Sequence, residues 1–223
     1  MGMRIVGLTG GIACGKSNVS DALREMGAAI VDGDKLSREL TDRDGAALPA
    51  LRAAFGPGVF RPDGTLDRRA LGRVVFADDE ARARLDALMH PYLESLILSR
   101  IGQARENGDA VCVLDMPLLY EAGLDRLCDT VWCVYLPEET QLRRLMARDG
   151  FTREEAEARL RSQLPAAEKA RRAQVVIDTG GSIDYTKAML PALYAKELRQ
   201  AGLSDQGGPY GNESRAAPDD PAG

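Results

Sequence analysis

"GLTGGIACGKSNVSDAL" (residues 7–23) passes from a short apolar segment through clustered glycines and a lysine into a helical pattern. Gly10, Gly15, Lys16 and Ser17 satisfy G-x-x-x-x-G-K-[ST]. A chance match in a chain this long is on the order of one in a hundred. The context adds to it, because a phosphate-binding loop follows a strand and opens a helix. Glycines let the backbone take positive φ and approach a ligand closely. Successive N–H groups then line an anion-binding concavity at a helix N-terminus. The loop residues Gly11, Ile12, Ala13, Cys14, Gly15, Lys16, Ser17 and Asn18 are therefore the candidate ATP-binding set. Lys16 is expected to reach the β- and γ-phosphates, and the Ser17 hydroxyl to ligate Mg²⁺. The competing reading is a Gly-rich turn with an exposed lysine.

Further apolar runs follow the first, "RIVGL" (4–8): "AAIVD" (28–32), "AVCVLD" (110–115), "TVWCVYL" (130–136) and "AQVVID" (173–178). They are continuous and rich in Val and Ile, as parallel strands covered on both faces are. Helical patterns separate them. Val19, Ala22, Leu23 and Met26 recur at helical spacing, with Gly27 as a stop. The fold class is α/β, a mostly parallel five-stranded sheet flanked by helices. Residues 3–44 and 110–203 form the nucleotide-binding core, with a charged helical lid over about 138–172. Residues 45–109 break the alternation and read as nearly all helix, with a bend or break predicted at His90-Pro91. This region is either a helical second-substrate insertion or a set of edge-covering helices. The tail, 204–223, is rich in Gly, Pro, Asp and Ser and is expected to be disordered.

The formal net charge of −5 argues against nucleic acid or an anionic membrane as the main partner. No stretch approaches the roughly 18 consecutive apolar residues of a membrane span. The chain has four cysteines and one histidine, and no C-x-x-C pair, so a zinc site is poorly supported. These features predict a cytoplasmic protein with free thiols. The sequence points to no protein partner.

Absence of an N-K-x-D segment disfavours a guanine-nucleotide switch and leaves a kinase or a mechanical ATPase. Asp32 and Asp34 end the second strand, where ligands of open α/β sheets bind. One of them can accept the proton of an attacking hydroxyl. Alternatively, Asp34 is the N-cap of the helix "KLSREL". Asp115 closes its strand and either orients Mg²⁺ or ends a turn. Arg144 and Arg148 share a helical face and either neutralise a transferring phosphoryl group or pair with Glu138 and Glu139. Cys14, beside Lys16 and a helix N-terminus, is either a low-pKa thiol or a neutral substitute for serine.

"VGLTGGIACGKS", "IVDGD", "LMHPYL", "VLDMPLLYEAGL" and "RLMARDGFTREEAEARL" occur in this order and with these gaps. Together they closely resemble the dephospho-coenzyme A kinases, over about residues 3 to 200. The resemblance implies a P-loop kinase fold with a helical coenzyme-binding region and a lid. It implies ATP-dependent, Mg²⁺-assisted phosphorylation of the ribose 3′-hydroxyl of dephospho-coenzyme A. On this resemblance Asp34 matches the proposed base, Lys16 the loop lysine and Arg148 a lid arginine. Asp32, Arg73, His90 and the segment Pro117, Leu118, Leu119, Tyr120 and Glu121 fall where the family lines its acceptor pocket. Ser17 and Asp115 are the implied metal-side residues. The chain departs from the family's pattern at Ala13 and Cys14, which stand for Gly and Ser, and at "TGG" after "VID". Alanine resists positive φ, so position 13 carries a modest strain if it needs that conformation.

Overall fold

The computed structural model describes residues 2–203; the tail read as disordered lies outside the described residues. The chain begins with β1 (Arg4–Gly10), α1 (Lys16–Glu25), β2 (Ala29–Asp32) and α2 (Gly33–Glu39). Three further helices follow, α3 (Leu48–Phe55), α4 (Arg68–Ala77) and α5 (Asp79–Glu106). The second half contains β3 (Val111–Asp115), β4 (Thr130–Tyr135), α6 (Glu138–Asp149), α7 (Arg153–Arg161), α8 (Ala166–Arg172), β5 (Val175–Asp178) and α9 (Ile183–Gln200). The five strands pair in the order β2-β3-β1-β4-β5, and every pairing between them is parallel.

Each apolar run predicted as a strand contains one, for the reason the pattern suggested. Along β3, Val111 and Val113 join one core while Cys112 and Leu114 join the other. The first core packs the sheet against Val19, Ala22 and Leu23 of α1 and Leu190 and Tyr194 of α9. The second packs it against Leu36 of α2 and Ile97, Ile101 and Ala104 of α5. Apolar side chains on both faces give a continuous run instead of alternation. Gly27 stops α1 as expected, at φ 96° just beyond the C-cap residue Met26.

A third core holds Leu40, Leu51, Val59, Leu66 and Leu71 with Leu85, Leu88 and Tyr92 of α5. The N-terminal half of α5 thus serves the 45–109 region, and its C-terminal half covers the sheet. Of the bend or break predicted at His90-Pro91, the break does not occur, since α5 is continuous from Asp79 to Glu106. Pro91 cannot donate to the carbonyl of Ala87, but both residues are exposed, so water can satisfy that carbonyl.

Gly10 closes β1 opposite Val134. A Cβ there would lie 2.5 Å from the Val134 carbonyl oxygen and 2.7 Å from Cys14 Sγ. The carbonyl is backbone and cannot yield. Gly10→Ala is expected to cost about 1–3 kcal/mol by overpacking. Its denaturant midpoint falls and its ATP affinity with it; an unchanged midpoint would refute the steric account.

Candidate active site

The loop between β1 and α1 has the backbone a phosphate cradle needs. Gly15 is the N-cap of α1 at φ 82°, in the left-handed region, and no side chain caps the helix. Ala13 is also left-handed, at φ 57°. The sequence flagged this strain, and the structure contains it. No acidic residue occupies the first turn of α1. Its N–H groups and positive dipole end are thus left for an anion.

An open cleft of about 610 Å³ forms over this loop. It is lined by Gly11 through Ser17, by Asp34 and Pro117, and by Arg144, Arg148 and Gln163. The structure therefore brings together the loop, the candidate base and the lid arginine that the sequence singled out. Asn18 lines a smaller adjoining cavity with Gly15, Arg144, Thr179 and Lys187.

Lys16 Nζ pairs with Asp115 Oδ1. Asp115 is 5% exposed and faces the loop from the end of β3. Asp34 opens to the cleft from the first turn of α2. Its carboxyl pKa is raised, first by partial burial against the cleft walls and further by Asp32 and Asp115, with Lys16 opposing. The residue is also open to solvent, which screens the shift.

The reading of Asp34 as an N-cap is corrected. Asp32 caps α2, accepting from the Lys35 backbone N–H at 3.0 Å, and it also pairs with Lys35 Nζ at 3.4 Å. The two aspartates are therefore not parallel teeth of an extended strand. The chain turns helical between them, and only Asp34 enters the cleft. Asp32 borders a separate groove beside β2.

Arg144 Nη2 donates to the Thr179 carbonyl at 3.0 Å, and Arg148 forms two 2.8 Å bonds to Asp149. Neither pairs with Glu138 or Glu139. Glu139 instead holds Arg153 of α7 at 3.0 Å. Leu142 and Leu145 of α6 and Ala156 of α7 pack together with Ile12 and Ala13, so these helices rest on the loop tip. Thr179 Oγ1 donates to the Cys14 carbonyl at 2.7 Å and fastens the loop from beneath. Nothing in the sequence pattern signalled this contact, since position 179 registered there only as a departure from a family pattern.

The family profile described as dephospho-CoA kinase matches residues 4–184. This chain belongs to that family. A dephospho-CoA kinase of Symbiobacterium thermophilum is 50% identical over 192 residues, covering 86% of this chain and 80% of that protein. One of Geobacter sulfurreducens is 47% identical over 196 residues, covering 88% of this chain and 100% of its own. Among solved structures, TT1252 of Thermus thermophilus superposes with a TM-score of 0.75 at 35% identity, covering 88% of this chain and 98% of that one. Dephospho-CoA kinase from Campylobacter jejuni superposes with a TM-score of 0.68 at 27% identity, covering 89% and 98%.

Other positions suggested by the likeness to dephospho-CoA kinases do not line the cleft. Arg73 is exposed on α4. His90 Nε2 lies 3.4 Å from Glu94, whose other oxygen meets Arg126. Leu118 is 39% exposed, while Leu119 is fully buried in the sheet core. The Tyr120 hydroxyl is buried without a partner among the described residues. Glu121 accepts from the Leu164 backbone N–H at 2.9 Å and from Lys169 at 2.8 Å. Of the segment 117–121, Pro117 alone reaches the cleft.

Of the two readings of Cys14, the structure favours the neutral substitute for serine over the low-pKa thiol. Its side chain turns into the sheet core, and the residue is 1% exposed. Burial raises the thiol pKa, with the Lys16 backbone N–H and charge opposing. A buried neutral thiol reacts slowly. Native protein treated with iodoacetamide at pH 8 is expected to leave Cys14 unmodified while denatured protein is labelled there, as peptide mass spectrometry will read. Rapid native labelling would contradict the packing.

Proposed function

We propose that this protein transfers the γ-phosphoryl group of ATP to the ribose 3′-hydroxyl of dephospho-CoA, giving CoA and ADP. The observation that carries this reading is the meeting of Lys16, Asp34 and Arg148 on one cleft above the loop amides. The amides of residues 11–17 hold the β- and γ-phosphates, and Lys16 leaves Asp115 to join them. Asp34 orients the 3′-hydroxyl and accepts its proton as the new O–P bond forms and the bond to the β-phosphate oxygen breaks. Arg144 and Arg148 gather charge on the transferring group, Arg148 by exchanging Asp149 for phosphate. The 45–109 region flanks the acceptor side, and we assign it the coenzyme.

The residues present suit Mg²⁺. This ion is usually held by one or two protein oxygens, with waters and substrate phosphates completing its shell. Ser17 and Asp115 supply such a pair at the loop. An ion held there by Ser17 and Asp115 would supply positive charge to offset that of the phosphates.

The test is to supply ATP and Mg²⁺ with dephospho-CoA, adenosine or AMP, and to follow ADP and product mass. A CoA mass from dephospho-CoA alone is expected. Phosphorylation of adenosine or AMP instead would overturn the acceptor assignment. ATP binding without turnover of any acceptor would overturn the kinase reading.

A further inference from the structure

The helix α8 is charged along most of its length, yet its side chains divide sharply. Arg171 and Arg172 pair with Glu168 on the surface, and both arginines are largely exposed. Lys169 turns inward and is 0% exposed. Its ammonium donates to the Pro117 carbonyl at 2.6 Å and meets Glu121 Oε1 at 2.8 Å. The same Glu121 oxygen accepts the Leu164 backbone N–H at 2.9 Å, and Thr9 Oγ1 donates to the same Pro117 carbonyl at 2.9 Å.

This junction joins chain segments far apart in sequence. Pro117 lies at the foot of the cleft after β3, and Gln163, next to Leu164, lies on its lid side. Lys169 grips the first segment directly and the second through Glu121. A buried ion pair is weak evidence for stability, because apolar residues of the same volume often do as well or better. What a charged pair with fixed donors and acceptors supplies is direction. Here every bond runs to a group that places a cleft-lining residue.

We propose that Lys169 is a positioning residue for phosphoryl transfer. Through Pro117 and Glu121 it holds the acceptor-side segment and the return limb of the lid in one geometry. This rests on the kinase reading above. It also reassigns Glu121, which serves the cleft from behind and not as a ligand of the coenzyme.

The test uses the full chain with Lys169→Met, Glu121→Gln and the double variant. Each is assayed with dephospho-CoA beside the wild type, with ADP affinity measured without acceptor and melting followed separately. Lys169→Met is expected to lower kcat by about tenfold or more and to raise KM for the acceptor, since small misplacements of reacting groups are costly. ADP affinity stays within about twofold, because the loop itself is untouched. The double variant leaves neither Lys169 nor Glu121 as an unpaired charge, so its melting temperature recovers above that of Glu121→Gln while kcat stays low. A structural role alone predicts that kcat returns with stability, and that result would overturn the proposal. So would an ADP affinity that falls in step with kcat, or single variants with wild-type kinetics. If Lys169→Met does not fold, the double variant carries the same kinetic expectations, since it leaves neither charge of the pair without its partner. A wild type that binds ADP but does not phosphorylate dephospho-CoA would remove the kinase reading and this proposal together. A wild type that turns over beside equally active variants would remove this proposal alone.

Discussion

Asp34→Asn is expected to lower kcat by about 10²–10⁴-fold, the usual range for a lost general base. The substitution keeps the size of the side chain and its place in the first turn of α2 but removes the proton acceptor. ATP affinity is expected to stay near wild type, because the proposed function gives the phosphates to the loop amides and Lys16. Asp34 is raised above its ordinary value of 3.8 by burial, with Asp32 and Asp115 adding to the effect. The acid limb of kcat/KM should therefore fall above that value. The stability sign follows from the same shift. Between 3.8 and the folded-state pKa, the folded protein binds more protons than the unfolded chain. Stability therefore declines as pH rises through that window. Asparagine mimics the protonated form and escapes this penalty. The variant should melt no lower than wild type at pH 7, and the difference should vanish at pH below the window. Near-normal turnover would show that another group takes the proton. A lower melting temperature at pH 7 would show that the carboxylate is held by contacts that outweigh its burial.

The sheet was legible because its physics is one-dimensional. A strand buried on both faces must be apolar at successive positions, and β3 and β4 are. The loop was legible because glycine is needed where backbone approaches phosphate. Less was readable where a side chain answers to something distant. Asp32 and Asp34 are equally good caps by type, and which one caps α2 depends on where the chain turns. Cys14 sits beside Lys16 in sequence, but the turn at Ala13 sends its thiol into the core and away from the cleft. Lys169 lies in "AAEKARR", a run with the composition of a solvated face, and its partners are about fifty residues upstream. The long helix α5 shows no single apolar stripe because its two halves face different cores. Pattern reading therefore left its role open between an insertion and a cover for the sheet. It does both.

Lys16→Met should separate the two roles of the loop lysine. The first is structural, because Lys16 is the partner of the buried Asp115. Methionine fills a similar volume and leaves that carboxylate unpaired, at a cost on the order of 1–3 kcal/mol. The second role is chemical. On the proposed function Lys16 is the loop's cation for the phosphates, and its loss is expected to remove both binding and transition-state stabilisation. ATP affinity is expected to fall by about tenfold or more, and kcat by about 10²–10³-fold, as when an oriented positive donor is removed. The combination Lys16→Met with Asp115→Asn distinguishes the roles. It removes the stranded charge, so the melting temperature should recover, while turnover should not. Asp115→Asn alone gives a further check. In the ligand-free protein a phosphate must draw Lys16 away from Asp115, and a neutral partner releases it more readily. Without Mg²⁺, this variant should bind ADP more tightly than wild type, by calorimetry. Weaker metal-free binding would mean that Asp115 aims the lysine at the phosphate and does not compete for it. Recovery of turnover in the double variant would mean that Lys16 serves the fold and not the reaction.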